Sequence, residues 1–138
     1  CGVPYLLVPL RDRATVDRAV SDSAAFRRLA TVSRDLAIFL FSIDPAGSSG
    51  TVYSRMFAPE FGIIEDPATG SASGPLGCYL VHHGAVQGDA AQRIVSLQGV
   101  AMGRSSRIHI SIEGSRPSIT RVRVGGEAVL VGRGELLV

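Results

Sequence analysis

Hydrophobic positions fall into continuous runs in the first half of the chain and alternating runs in the second. Residues 3–10 are a near-continuous apolar run between prolines and predict a buried strand. Residues 11–32 change to Ala, Arg, Asp and Ser, with Ala25, Phe26 and Leu29 forming one apolar stripe. They predict two short helices, at about 15–20 and 23–31, with Thr15 and Ser21 or Ser23 as caps. Residues 35–43 are apolar again, and Ile38 to Phe41 predict a second buried strand. Residues 44–50 carry turn chemistry. Residues 51–57, rich in β-branched and aromatic side chains, predict the next strand, which residues 58–62 end.

The spacing then predicts a helix from about Thr69 to His83, stopped by Gly84. Pro75 lies beyond its first turn and predicts a loose or kinked start. This helix is apolar nearly all round, so other elements must enclose it. Residues 92–100 predict a strand and residues 99–104 a Gly-punctuated turn. Residues 107–112 and 119–124 alternate as half-buried strands do, with Arg121 and Arg123 outward. Gly125-Gly126 is a hairpin signal, with a returning strand at 128–131, a turn at 132–134 and a last strand at 135–138. The fold class is α+β: a curled mixed and antiparallel sheet around one central apolar helix.

Composition bounds this picture. At 138 residues, 46% apolar and 19% charged, the chain is one ordered domain with room for a real core. The net charge is +2, and all 14 basic residues are Arg, scattered among only 8 aromatics. A nucleic-acid surface would cluster them, so no nucleic-acid partner is expected. No apolar run reaches the length of a membrane span, and no signal peptide is visible. Cys1 and Cys78 make no disulfide framework, which points to a reducing cytoplasm, with Cys78 a small buried hydrophobe. The chain opens on Cys1 and runs at once into a strand, as expected of one half of something larger.

Candidate chemistry concentrates in residues 64–75, Ile-Glu-Asp-Pro-Ala-Thr-Gly-Ser-Ala-Ser-Gly-Pro. The first turn of a helix exposes backbone N–H groups and partial positive charge, and small residues let an anion approach them. The stretch therefore reads as an anion cradle or as a capped helix with a tight lead-in. Asp66 before it is a proton-transfer group or an N-terminal cap, and Ser71 a ligand contact or a helix-turn residue. Glu65 is expected to pair with Arg104, which would support the Asp66 loop. His82 and His83 read as helix-end or surface residues, His109 as an exposed strand residue, and Phe57 and Phe61 as core. No metal site is expected, because no third ligand lies near the His pair. The segment lacks the Lys of a phosphate-binding P-loop.

Met56 to Glu60 with Gly62, Glu65 to Ala72, Gly74-Pro75-Leu76, Tyr79-Leu80, Gln98-Gly99, Met102-Gly103-Arg104 and Val124 to Ala128 together resemble the second half of phenazine biosynthesis-like (PhzF-like) proteins. The resemblance spans essentially the whole chain. It implies one lobe of a two-lobed, diaminopimelate epimerase-like fold, with the active site between the lobes. It implies cofactor-free movement of a proton at carbon in a small carboxylate substrate. It places Asp66 and Ser71 as catalytic residues, and Gly70, Ser71 and Ala72 as the substrate-carboxylate contacts. Related racemases use paired cysteines, whereas phenazine-type members use acidic and polar groups. The family's catalytic glutamate belongs to the first lobe, and its motif does not occur in these 138 residues. The first lobe, in the same protein or as a separate chain, is therefore the expected partner. The alternative is a non-catalytic binding or assembly module that pairs as a homodimer; a racemase of a small amino acid is a third, weaker option.

Overall fold

The computed structural model describes residues 3–30, 37–44 and 50–136. Strand β1 (Tyr5–Pro9) leads into two short helices, α1 (Arg13–Asp17) and α2 (Ser23–Ala30). Strands β2 (Ala37–Ile43), β3 (Val52–Ala58) and β4 (Ile63–Asp66) follow, then helix α3 (Gly70–His82). Strands β5 (Ile94–Gln98), β6 (Ser106–Ser115) and β7 (Ser118–Gly125) complete one seven-stranded sheet. Its order is β1-β2-β3-β5-β6-β7, with β4 attached to β3 off that path. Pairs β1–β2 and β3–β5 are parallel and the others antiparallel, so the sheet is mixed as expected.

The sheet forks at β3. Its first half pairs with β5 through Val52, Tyr53 and Ser54, and its second half pairs with β4 through Met56 and Ala58. Every residue of β3 is buried, as a strand with neighbours on both sides should be. At the fork the ends of β4 and β5 come together beside the start of α3.

Helix α3 packs on β6 and β7. Its intrinsic propensity is poor, with Gly70, Gly74, Pro75 and Gly77 inside it. Packing explains the glycines. A Cβ on Gly77 would stand 2.6 Å from Ile110 and 2.8 Å from Ile112, so only hydrogen lets the helix approach the sheet this closely. Leu76, Leu80, Phe39, Phe41, Ile94, Ile110 and Ile112 then meet in one fully buried cluster. Burial of this apolar surface outweighs the propensity cost. The helix is continuous through Pro75. Pro75, Cys78 and Tyr79 remain partly exposed, so the sheet makes a trough around α3 and not a closed tube.

Local details differ from expectation in instructive ways. Asp12, not Thr15, caps α1, accepting the Thr15 N–H at 2.8 Å. Asp22 serves α2, accepting from Ala24 at 2.8 Å and Ala25 at 3.2 Å. Asp12 lies three residues before Thr15 and Asp22 lies between Ser21 and Ser23, and both carboxylates reach first-turn N–H groups. Phe61 is 46% exposed on a short 3-10 turn, whereas Phe57 is core. Residues 127–136 do not return as a strand: the turn after β6 falls at Arg116-Pro117, and residues 127–136 are irregular and exposed. The expected Gly125-Gly126 hairpin is therefore absent from the described residues. The turn expected at 44–50 falls mostly outside the described residues, as do Cys1 and residues 137–138. No helix among the described residues is long and apolar enough to cross a membrane.

If Gly77 is the close-approach point of helix and sheet, Gly77→Val should cost about 1–3 kcal/mol by overpacking, and Leu80→Ala about 2–5 kcal/mol by cavity formation. Urea unfolding midpoints of the two variants against the parent chain check this.

Candidate active site

The site begins with a cap that does not cap. Thr69 precedes α3, yet its side chain makes no capping hydrogen bond to the helix. Its hydroxyl instead donates to Asp66 Oδ2 at 2.7 Å. A threonine in this position ordinarily turns its oxygen back to the first-turn N–H groups. Here that oxygen is diverted, and the first helical bond is Ser73 N–H to the Thr69 carbonyl at 3.2 Å. Gly70 and Ala72 N–H lie ahead of that bond and have no acceptor within the helix. Gly70 and Ser71 are exposed, and a Cβ on Gly70 would meet nothing within 4 Å. Ala72 is fully buried and anchors the turn from below. The tip of α3 is electropositive, sterically open and lined by backbone.

Three contacts fix the lead-in. Gln98, the last residue of β5 and fully buried, donates to the Asp66 carbonyl at 2.7 Å and to the Thr69 hydroxyl at 2.8 Å. Its Oε1 accepts from Thr69 N–H at 3.1 Å. The next residue must be glycine: Gly99 has φ +75°, and a Cβ there would stand 2.4 Å from the Arg104 carbonyl and 2.8 Å from that of Pro67. One strand further on, Glu65 makes a bidentate ion pair with Arg55, at 2.7 Å and 2.9 Å. Arg55 also donates to the carbonyls of Val16, Asp17 and Ala19, which ties the C-terminal end of α1 and the residues just after it to β4. The Glu65 carboxylate beside it and the strong hydrogen bonds between them hold the Arg55 guanidinium firmly protonated. The expected Glu65–Arg104 pair is thus corrected. Arg55 lies on the strand that β4 pairs with, whereas Arg104 is exposed beyond Gly103.

The structure gathers the predicted residues at one end of α3. Asp66 is tied to Thr69, and Ser71 shares a 2.7 Å hydrogen bond with the Tyr5 hydroxyl of β1. Tyr5, Thr69 and Gln98 carry site geometry without having been singled out by the sequence. Gln98-Gly99 stood in the family pattern, but no local signal joins Tyr5 to residues 66 places on. Cys78 is partly buried, and desolvation pushes its thiol up, which disfavours the thiolate. His82 and His83 are exposed at the opposite end of α3, beside a cavity of about 400 Å³ that holds none of the predicted site residues. Among the described residues, no group of three or more His, Cys, Asp or Glu could hold a metal ion.

A curled α+β half-barrel around a central helix is a fold that known proteins share. The family described as phenazine biosynthesis-like protein matches residues 1–134, and the chain belongs to that family. It is 44% identical over 103 residues, 75% of this chain and 35% of the relative, to the trans-2,3-dihydro-3-hydroxyanthranilate isomerase of Pseudomonas chlororaphis. It is 33% identical over 135 residues, 97% of this chain and 45% of the relative, to the uncharacterized isomerase YddE of Escherichia coli K12. A PhzF-family protein of Enterococcus faecalis superposes with TM-score 0.64 at 25% identity, covering 96% of this chain and 44% of that one. One from Bacillus anthracis superposes with TM-score 0.69 at 17% identity, covering 94% and 46%, which speaks for the fold alone. The chain spans about a third to a half of the length of these relatives.

The Arg55–Glu65 pair makes a testable demand. Glu65→Leu leaves a largely buried guanidinium without its counter-ion and should cost about 3–5 kcal/mol, whereas Arg55→Met with Glu65→Leu should recover part of the loss. Thermal unfolding of the single and double variants measures the difference.

Proposed function

We propose that this chain is the second lobe of a cofactor-independent isomerase that moves a proton at carbon in a small carboxylate substrate. Three facts support the reading: membership of the family, the isomerase names of its relatives, and the open tip of α3. The observation that carries it is the diverted cap, because it leaves an electropositive helix tip beside a fixed aspartate. In this reading Gly70, Ser71 and Ala72 hold the substrate carboxylate, and the Ser71 hydroxyl is oriented by Tyr5.

Breaking a C–H bond next to a carboxylate leaves its electron pair on the substrate. The preorganised N–H donors of the helix tip stabilise that charge at no reorganisation cost. Asp66 takes or returns the proton as an auxiliary acid/base, and the principal glutamate comes from a first lobe in the same protein or on a separate chain. No cofactor and no metal enter this scheme.

A second reading has its own observation. Val129, Leu130, Val131 and Leu136 are 85%, 70%, 97% and 85% exposed, an apolar segment fit for assembly with another chain or a second copy. A non-catalytic module predicts self-association in sedimentation and no catalysis in any combination.

Incorporation of solvent deuterium into trans-2,3-dihydro-3-hydroxyanthranilate separates the two. The 138-residue chain alone should give no turnover, and addition of a first lobe should restore it. In the restored enzyme, Asp66→Asn should lower kcat by about 10²–10⁴-fold, the usual contribution of general acid/base catalysis. Turnover by the lone chain, or an Asp66→Asn variant at the parent rate, would refute the assignment.

A further inference from the structure

We propose that Thr69 and Gln98 are positioning residues that occupy one oxygen of Asp66 and reserve the other for the mobile proton. This rests on the reading of Asp66 as an acid/base. The inference comes from following donors and acceptors through the fork of the sheet.

Gln98 has no exposed surface, so its amide must be satisfied inside the protein. The backbone decides which way that amide faces. Thr69 N–H can only donate, so it faces Oε1 at 3.1 Å. The Asp66 carbonyl can only accept, so it faces Nε2 at 2.7 Å. A flipped amide would break both bonds at once. Nε2 has a second hydrogen, and the Thr69 hydroxyl oxygen lies 2.8 Å away to receive it.

A hydroxyl has one proton to give. With Gln98 donating to it, Thr69 directs its own proton to Asp66 Oδ2 at 2.7 Å. The polarity of the chain therefore runs one way, from Gln98 through Thr69 to Asp66. A proton placed on Oδ2 would oppose the Thr69 proton head-on. The Gln98 amide takes one of the hydroxyl's two acceptor positions, so the hydroxyl could receive a proton from Oδ2 only by turning its own proton away from Asp66. In the observed wiring Oδ2 accepts. Among the described residues Oδ1 has only the Ala68 N–H at 3.5 Å, too long for a strong bond, and is the oxygen left to gain and lose a proton.

The same wiring explains why Thr69 gives up the capping role. A hydroxyl committed to Asp66 leaves the helix tip to a ligand, so one side chain both prepares the anion site and orients the carboxylate beside it.

The test reads the Thr69 hydroxyl proton directly by NMR in the 138-residue chain, without substrate. In the parent it should exchange slowly enough to observe and show a nuclear Overhauser contact to the Gln98 amide. Thr69→Ser should keep that signature, and Asp66→Ala should lose it. A parent hydroxyl in fast exchange, or one unaffected by Asp66→Ala, overturns the wiring. The kinetic arm uses the protein with both lobes. Thr69→Val should lower kcat by about 10- to 100-fold, the size expected for a misplaced catalytic group, with KM nearly unchanged, and Thr69→Ser should restore it. A protected hydroxyl combined with parental kcat in Thr69→Val overturns the claim that the wiring serves proton transfer. Asp66→Asn measured alongside keeps the readings apart: if it retains full activity, the acid/base role of Asp66 fails, while the hydroxyl signature still decides the wiring.

Discussion

One buried amide holds the structure together where it is most prone to come apart. A sheet that forks leaves unpaired backbone at the crotch, and buried polar backbone without partners is costly. Gln98 sits at that point. From the end of β5 it reaches the carbonyl of Asp66 at the end of β4 and the N–H of Thr69 at the start of α3. Three elements are joined by one side chain with no exposed surface. Because all its hydrogen-bonding capacity there is directional, it specifies the loop geometry as well as sealing it.

The helix shows the complementary economy. Its sequence is weak as a helix and strong as a packing insert. Gly77 permits contact with Ile110 and Ile112, Gly74 lies against Val122 and Val124, and Leu76 and Leu80 fill the trough. Tertiary burial, not propensity, makes α3 a helix. A helix pinned by its middle and lower turns can leave its first turn uncapped and open. Arg55 secures the other flank, since its ion pair with Glu65 and its three bonds to carbonyls at and just past the end of α1 hold β4 in place. The geometry proposed for Asp66 therefore rests on two buried polar groups from different strands, Gln98 on the Asp66 carbonyl and Arg55 on the neighbouring Glu65.

Much of the fold was legible along the chain. The strands at residues 5–9, 37–43, 52–58, 94–98 and 106–115, and the helix at 70–82, each carry a local apolar signal, and each forms. Strand β4 was missed because its four residues offer no alternation long enough to recognise. The returning strand after Gly125 was expected on an equally plain pattern, and it does not form within the described residues. Its apolar side chains stand exposed there, and a short apolar run says that a strand is possible, not where its partner lies. Glu65 was assigned to the wrong arginine for the same reason: ion pairing depends on strand adjacency, which residue spacing does not contain.

From the sequence alone came the identity of the central helix, the α+β class, the family resemblance and the small-residue segment around Asp66, Gly70, Ser71 and Ala72. These depend on local periodicity and on contiguous residue chemistry, which a linear chain carries intact. The tertiary structure alone decided that Thr69 serves Asp66 and not the helix, that Gln98 polarises it, that Tyr5 meets Ser71, and that Arg55 claims Glu65. Each of these is a directional bond, and a directional bond is chosen by which groups the folded backbone brings within about 3 Å, a distance that sequence separation does not encode.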